Sequence, residues 1–160
     1  MWYCIALIGT TYRGMERLLT ATDLYTPKTR SVFQDLIEDY FAYIPHVDEK
    51  PATPDSFQQV IAFYRRLLPF DLPCEIIACS STPMQEVYGY PIQLLGIDIV
   101  HDECESLLAD EINPAIAHLL NENGLCRTEQ DVATIIPFQH HGTVEWKPYY
   151  VYRVSVDEPA

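Results

Sequence analysis

The sequence predicts an α+β fold: a small mixed or antiparallel sheet with about four helices packed on it, in one globular domain over residues 1–160. Three observations predict it. Apolar residues switch along the chain between the two-residue alternation of strands and the 3.6-residue period of helices. The segments run β, α, α, β, β, α, α, β, without the strict alternation of a doubly wound parallel sheet. Apolar residues make up 48% of the 160 and charged residues 21%, values that support a self-sufficient core and argue against disorder.

The chain opens on Met1-Trp2-Tyr3-Cys4-Ile5-Ala6-Leu7-Ile8-Gly9, read as a first strand that begins at the first residue. A secretory signal would carry a basic start and a small-residue cleavage site, and this stretch has neither. No run reaches the ~18 apolar residues of a membrane span. Residues 10–30 show no clear period. From Ser31 to Ile44, Val32, Phe33, Leu36, Ile37, Tyr40, Phe41 and Ile44 share one helix face, and Ser31 with Gln34 is spaced as a capping box. Residues 47–54 read as a loop. Thr53 as N-cap and Pro54 as first residue open a second helix, with a stripe of Phe57, Val60, Ile61, Tyr64, Leu67 and Leu68, closed by Pro69.

Cys74–Ser80 reads as a short strand. Tyr88–Val100 is apolar on both faces, as in a central strand covered on both sides, and Asp98 is the odd residue within it. Asn113-Pro114 opens a third helix with Ile116, Leu119 and Leu120 in its stripe and Asn123-Gly124 as its stop. Thr128-Glu129-Gln130-Asp131 opens a fourth, expected to end before Pro137. Glu145–Val156 closes the chain as a strand, with Trp146, Tyr150, Tyr152, Val154 and Val156 on its greasier face.

Charge excludes some functions. There are 23 acidic and 10 basic residues, net -13. Neutralising phosphates takes Lys and Arg, so nucleic acid and anionic membrane surfaces are not expected partners. The last 60 residues hold eleven acids and three bases, and no Lys or Arg occurs from Asp98 through Cys126. That window contains Asp98, Asp102, Glu103, Glu105, Asp110, Glu111 and Glu122. It reads as a solvated acidic face or as a docking surface for a basic partner. A calcium or magnesium site has less support, because the carboxylates lack EF-hand spacing and its tight-turn glycine.

Candidate chemistry is sparse. Five cysteines, an odd count without a CxxC pair, fit reduced thiols in a cytoplasmic protein better than a disulfide framework. His101 with Cys104, and the doublet His140-His141, do not make the two close pairs of a structural zinc site. Cys104 or Cys79 with His101 or His140 is formally a nucleophile pair, but acidic surroundings raise a thiol's pKa. Asp98 and Glu105 are acid–base candidates only if they share a cleft. No Walker A, GxGxxG or GxSxG motif is present, and no cofactor is implied. The eleven tyrosines, Tyr12, Tyr25, Tyr88, Tyr90, Tyr149, Tyr150 and Tyr152 among them, suit sheet packing or interface anchoring.

Gly96-Ile97-Asp98-Ile99, Glu105-Ser106-Leu107-Leu108 and Leu120-Asn121-Glu122-Asn123-Gly124-Leu125 together resemble a pattern in small acidic bacterial toxin-immunity proteins. The resemblance covers residues 96–125. It implies a non-enzymatic cytoplasmic protein that binds one cognate toxin, and it supplies no catalytic residues. The expectation is therefore an acidic binding protein occluding the active site of a basic partner, such as a toxin nuclease domain, through Asp98, Asp102, Glu103, Glu105, Asp110 and Glu111. Two alternatives stand beside it: a small His/carboxylate hydrolase or metal-dependent enzyme using His101, His140 or His141, and a structural subunit of an assembly.

Overall fold

The computed structural model describes residues 2–8, 12–43, 53–101, 105–109, 111–139 and 144–156. Five strands form one antiparallel sheet: β1 (Trp2–Leu7), β2 (Cys74–Ser80), β3 (Glu86–Val87), β4 (Tyr90–Val100) and β5 (Lys147–Val154), in the order β1-β2-β5-β4-β3. Among the described residues four α-helices accompany it: α1 (Ala21–Leu24), α2 (Phe33–Tyr43), α3 (Pro54–Leu67) and α4 (Glu129–Gln139). The fold is α+β, as the periodicities predict. Among the described residues no helix is long and apolar enough to cross a membrane.

The sheet separates two cores, and strand alternation explains how. Tyr3 and Ile5 of β1, with Ile76 and Ala78 of β2, join a core with Leu36, Phe57, Val60, Ile61 and Leu67 of the helices. Their neighbours Trp2, Cys4, Ile77 and Cys79 point into a second core with Leu107, Leu108, Ile116, Leu125 and Ile135. Helices α1, α2 and α3 thus cover one face. Turns from residues 105–109 and 111–128 and helix α4 cover the other. Cross-strand pairs such as Tyr3 with Ala78 and Cys4 with Ile77 keep each side chain with its own core.

Helix α3 forms where Thr53 and Pro54 predict it. The Thr53 hydroxyl accepts from the Ser56 N–H at 3.1 Å, and Ser56 returns the bond to the Thr53 N–H at 3.0 Å. The buried stripe includes Phe63, while Leu68 turns out to solvent, 45% exposed. Pro69 does not stop the chain's coiling at once but sits in a 3-10 turn, Leu68–Phe70. Helix α2 begins at Phe33, and Gln34 gives its side-chain amide to Glu38 at 3.0 Å rather than serving a Ser31 cap. The stretch without a clear period holds a 3-10 turn, Gly14–Arg17, and the short α1, opened by a Thr20–Asp23 capping box. Residues 44–52, which include most of the expected 47–54 loop, lie outside the described set.

Three expectations need correction. The strand expected over Tyr88–Val100 is β4, Tyr90–Val100, and its first two residues belong instead to the turn of a hairpin with β3. Tyr88 and Gly89 have φ of 48° and 87° and form the two-residue turn between Val87 and Tyr90, both in the left-handed region such turns require. The central strand is β5, and only the second half of β4, Leu95–Val100, is fully buried. Asn113–Leu120 contains no α-helix but a turn and a 3-10 turn, Ala117–Leu119. The Asn113 carboxamide accepts from Ala115 N–H at 3.0 Å, and the segment is tied down again at Asn121. Finally, α4 runs through Pro137 to Gln139. The proline forfeits one helical bond near the end, and the buried Gln139 side chain fixes the last turn by bonding Asn113 N–H and the Glu111 carbonyl.

Candidate functional site

The candidate surface is the layer built from the Lys/Arg-free window, and its anchor is Asp98. Asp98 sits in β4 opposite Tyr149 and is 0% exposed. Its carboxylate accepts from the Gly14 N–H at 3.0 Å, the Arg17 guanidinium at 3.0 Å and the Ile99 N–H at 2.8 Å, and from the Ser106 hydroxyl. Four donors satisfy a charge that would otherwise be prohibitive to bury. Desolvation opposes the charge on Arg17, but Cys79, Asp98 and Cys4 hold its pKa above the ordinary guanidinium value. Its guanidinium carbon lies 4.7 Å from the Trp2 ring centroid, a desolvated cation–π contact. Asp98 is therefore withdrawn from the expected docking surface. It is the post on which the surface is mounted.

The described residues of the window from 105 onward are clipped to the sheet around that post. Ser106 accepts from the Leu108 N–H at 3.1 Å and starts the 3-10 turn Leu107–Ala109, whose two leucines are completely buried. Arg13 donates to the Leu108 carbonyl. Further on, Asn121 and Asn123 both donate to the Leu95 carbonyl, at 2.8 and 3.0 Å, where β4 bulges between Leu94 and Gly96. Ile97 and Cys126 exchange backbone bonds of 2.8 and 2.9 Å. Gly96 is required there: a Cβ on it would stand 2.5 Å from Leu125 Cβ and 2.9 Å from Asn121 Nδ2, and its φ is +151°.

The window's charges sort by this framework. Glu105, Glu111 and Glu122 are exposed. Glu105 pairs with His101, whose ring stands edge-on to Trp146 with centroids 5.0 Å apart. The backbone of Glu111 is held by Gln139, and Glu122 lies between the two clipped asparagines. Asp102, Glu103, Asp110, Cys104, His140 and His141 lie outside the described residues. Asp98 and Glu105 do not share a cleft, since one is sealed in the core and the side chain of the other is 66% exposed. Arg13 and Arg17 were the missed residues. They come from the stretch without periodicity, more than 80 positions from Asp98, and no local signal links them to it.

The four described cysteines are free and buried. Burial pushes the Cys126 thiol up to about 12 and the Cys74 thiol up to about 11, and it moves Cys4 the same way. Cys79 is wholly buried in β2. Among the described residues no group of three or more His, Cys, Asp or Glu is gathered as for a metal ion. Tyr12, Tyr149, Tyr150 and Tyr152 are buried packing residues, whereas Tyr25 is 53% exposed. The arrangement defines an antiparallel α+β domain with a pinned, carboxylate-bearing layer on one face. Comparison with protein families, curated proteins and solved structures finds no match.

Proposed function

We propose that this chain is a non-enzymatic acidic binding protein that neutralises one basic protein partner, a toxin domain of nuclease type, by covering its active site. The observation that carries the reading is the division of labour within the window. Its single buried carboxylate among the described residues is spent on anchoring, while Glu105, Glu111 and Glu122 are displayed from backbone clipped in place. A layer ordered before contact loses little conformational entropy on binding. Acids without intervening bases steer a partner rich in Lys and Arg and reject acidic ones. A nuclease domain carries such a surface because it must hold phosphates.

The test is capture of protein from a lysate of the source cell at low and high salt, with wild type beside Glu105→Lys/Glu111→Lys/Glu122→Lys. The expected result is one stoichiometric basic partner whose nuclease activity is lost in the complex. It is released as salt rises, and the triple variant fails to retain it. Equal capture by both proteins, or no stoichiometric partner, contradicts the reading.

A further inference from the structure

Glu105, an exposed acid of the proposed docking face, has a titratable partner. Val100 ends the β4–β5 ladder opposite Lys147, so the next residue, His101, comes level with Trp146. On its other side Val100 bridges to Ser106, which returns Glu105 to the side of His101. Ser106 is itself bonded to the buried Asp98. The base of this turn is thereby tied to the core.

The imidazole is held from two directions. Its Nε2 is hydrogen-bonded to Glu105 Oε2. Its ring makes a T-shaped contact with Trp146, centroids 5.0 Å apart and planes at 87°. Trp146 packs against the core, so this wall is fixed. The two members of the pair differ in exposure: the His101 side chain is 25% exposed and that of Glu105 66%. A positioned base thus faces a displayed acid. A carboxylate only accepts, so Nε2 carries a hydrogen whether the ring is neutral or charged, and Nδ1 is the atom that titrates. The other charged groups flanking this contact among the described residues are Glu145 and Lys147, exposed on either side of Trp146. Asp98, three residues back on the strand, is sealed with Arg17.

We propose that His101 sets the charge of the docking face by protonation at Nδ1. The imidazolium cancels the charge of the Glu105 carboxylate, and the neutral ring leaves that charge in full display. The face therefore gains one net negative charge as pH rises through neutrality, and its hold on a basic partner strengthens. This regulation rests on the docking function proposed above. Histidine is the side chain whose ordinary value, about 6.5, lies in the relevant range, and an adjacent carboxylate favours its charged form.

Two measurements test it. The first is a pH titration of the isolated protein with isotope-labelled histidine, followed by the ring nitrogen shifts of His101. The neutral form should be the Nε2–H tautomer, with a midpoint above about pH 7. Glu105→Gln should bring the midpoint down to about 6.5 or below. The second is binding of deca-lysine, whose charge is constant from about pH 5.5 to about pH 8, to wild type and His101→Gln at low salt. Across that range wild type should tighten about two- to fivefold more than the variant. A neutral Nδ1–H tautomer, a midpoint unmoved by Glu105→Gln, or an equal change of deca-lysine affinity in the two proteins overturns the proposal. Capture of a natural partner plays no part in these readouts, so failure of the docking function and failure of the switch are seen separately.

Discussion

The Arg17 guanidinium lies 3.0 Å from the Asp98 carboxylate, and neither side chain reaches solvent. This pair joins a 3-10 turn near the start of the chain to the second half of β4. Through Ser106 it also reaches the first turn of the acidic layer. Removing one member of a buried, hydrogen-bonded pair strands the other charge, which costs about 3–5 kcal/mol. Asp98→Ala is expected to destabilise the fold by that amount in urea denaturation. Asp98→Leu combined with Arg17→Met should recover part of the loss, because no charge is then stranded. Additive losses in the double variant would show that the pair is not coupled.

Gly96 predicts a second effect. Its neighbours leave no room for a methyl group, and its φ of +151° strains any other residue. Overpacking and backbone strain together should make Gly96→Ala about 2–5 kcal/mol less stable. Amide exchange should quicken first at Asn121–Cys126, which packs over it. A stability within experimental error of wild type would mean that the bulge tolerates a side chain.

The cap of α3 is a smaller, local test. Thr53→Ala deletes the acceptor for the Ser56 N–H and should cost about 1 kcal/mol. Thr53→Ser keeps the hydroxyl and should cost little. Equal losses would point to packing of the threonine methyl instead.

The buried thiols predict alkaline sensitivity. The native chain keeps the Cys74 and Cys126 protons to about 11 and about 12, whereas an ordinary thiol loses its proton near 9.0. Above that ordinary value the unfolded state binds fewer protons than the native state, so stability falls as pH rises. Each such thiol adds a slope of about 1.4 kcal/mol per pH unit within its window. Unfolding free energy should be level below about pH 8 and decline through about pH 9–11. Cys126→Ala should lower the starting value but flatten the decline. A level profile across that range would contradict the assignment.

How far the sequence reveals this molecule depends on whether the decisive interaction is local. The Thr53-Pro54 start of α3 and the short apolar runs that become β1 and β2 are short-range features, and both appear as read. Pro137 misleads because the force that carries α4 past it is the Gln139 side chain reaching across to Glu111 and Asn113. Asn113–Leu120 has helical punctuation, but its flanks are tied to Gln139 and Leu95, and only short turns fit between. The hairpin at Tyr88-Gly89 lacks the Asn-Gly or Asp-Gly that usually announces one. For the candidate site, the acidic window is legible as a count of charges. Asp98's burial is not, because its partner Arg17 lies far away in a stretch with no period.

The most direct test of the proposed docking function is the association rate constant for the captured partner across ionic strength, for wild type and for Glu105→Lys/Glu111→Lys/Glu122→Lys. Steering by displayed carboxylates predicts a rate that falls steeply with salt for wild type. It predicts a rate at least about tenfold slower at low salt, with little salt dependence, for the variant. Superimposable salt profiles for the two proteins would contradict the assignment of this face as the docking surface.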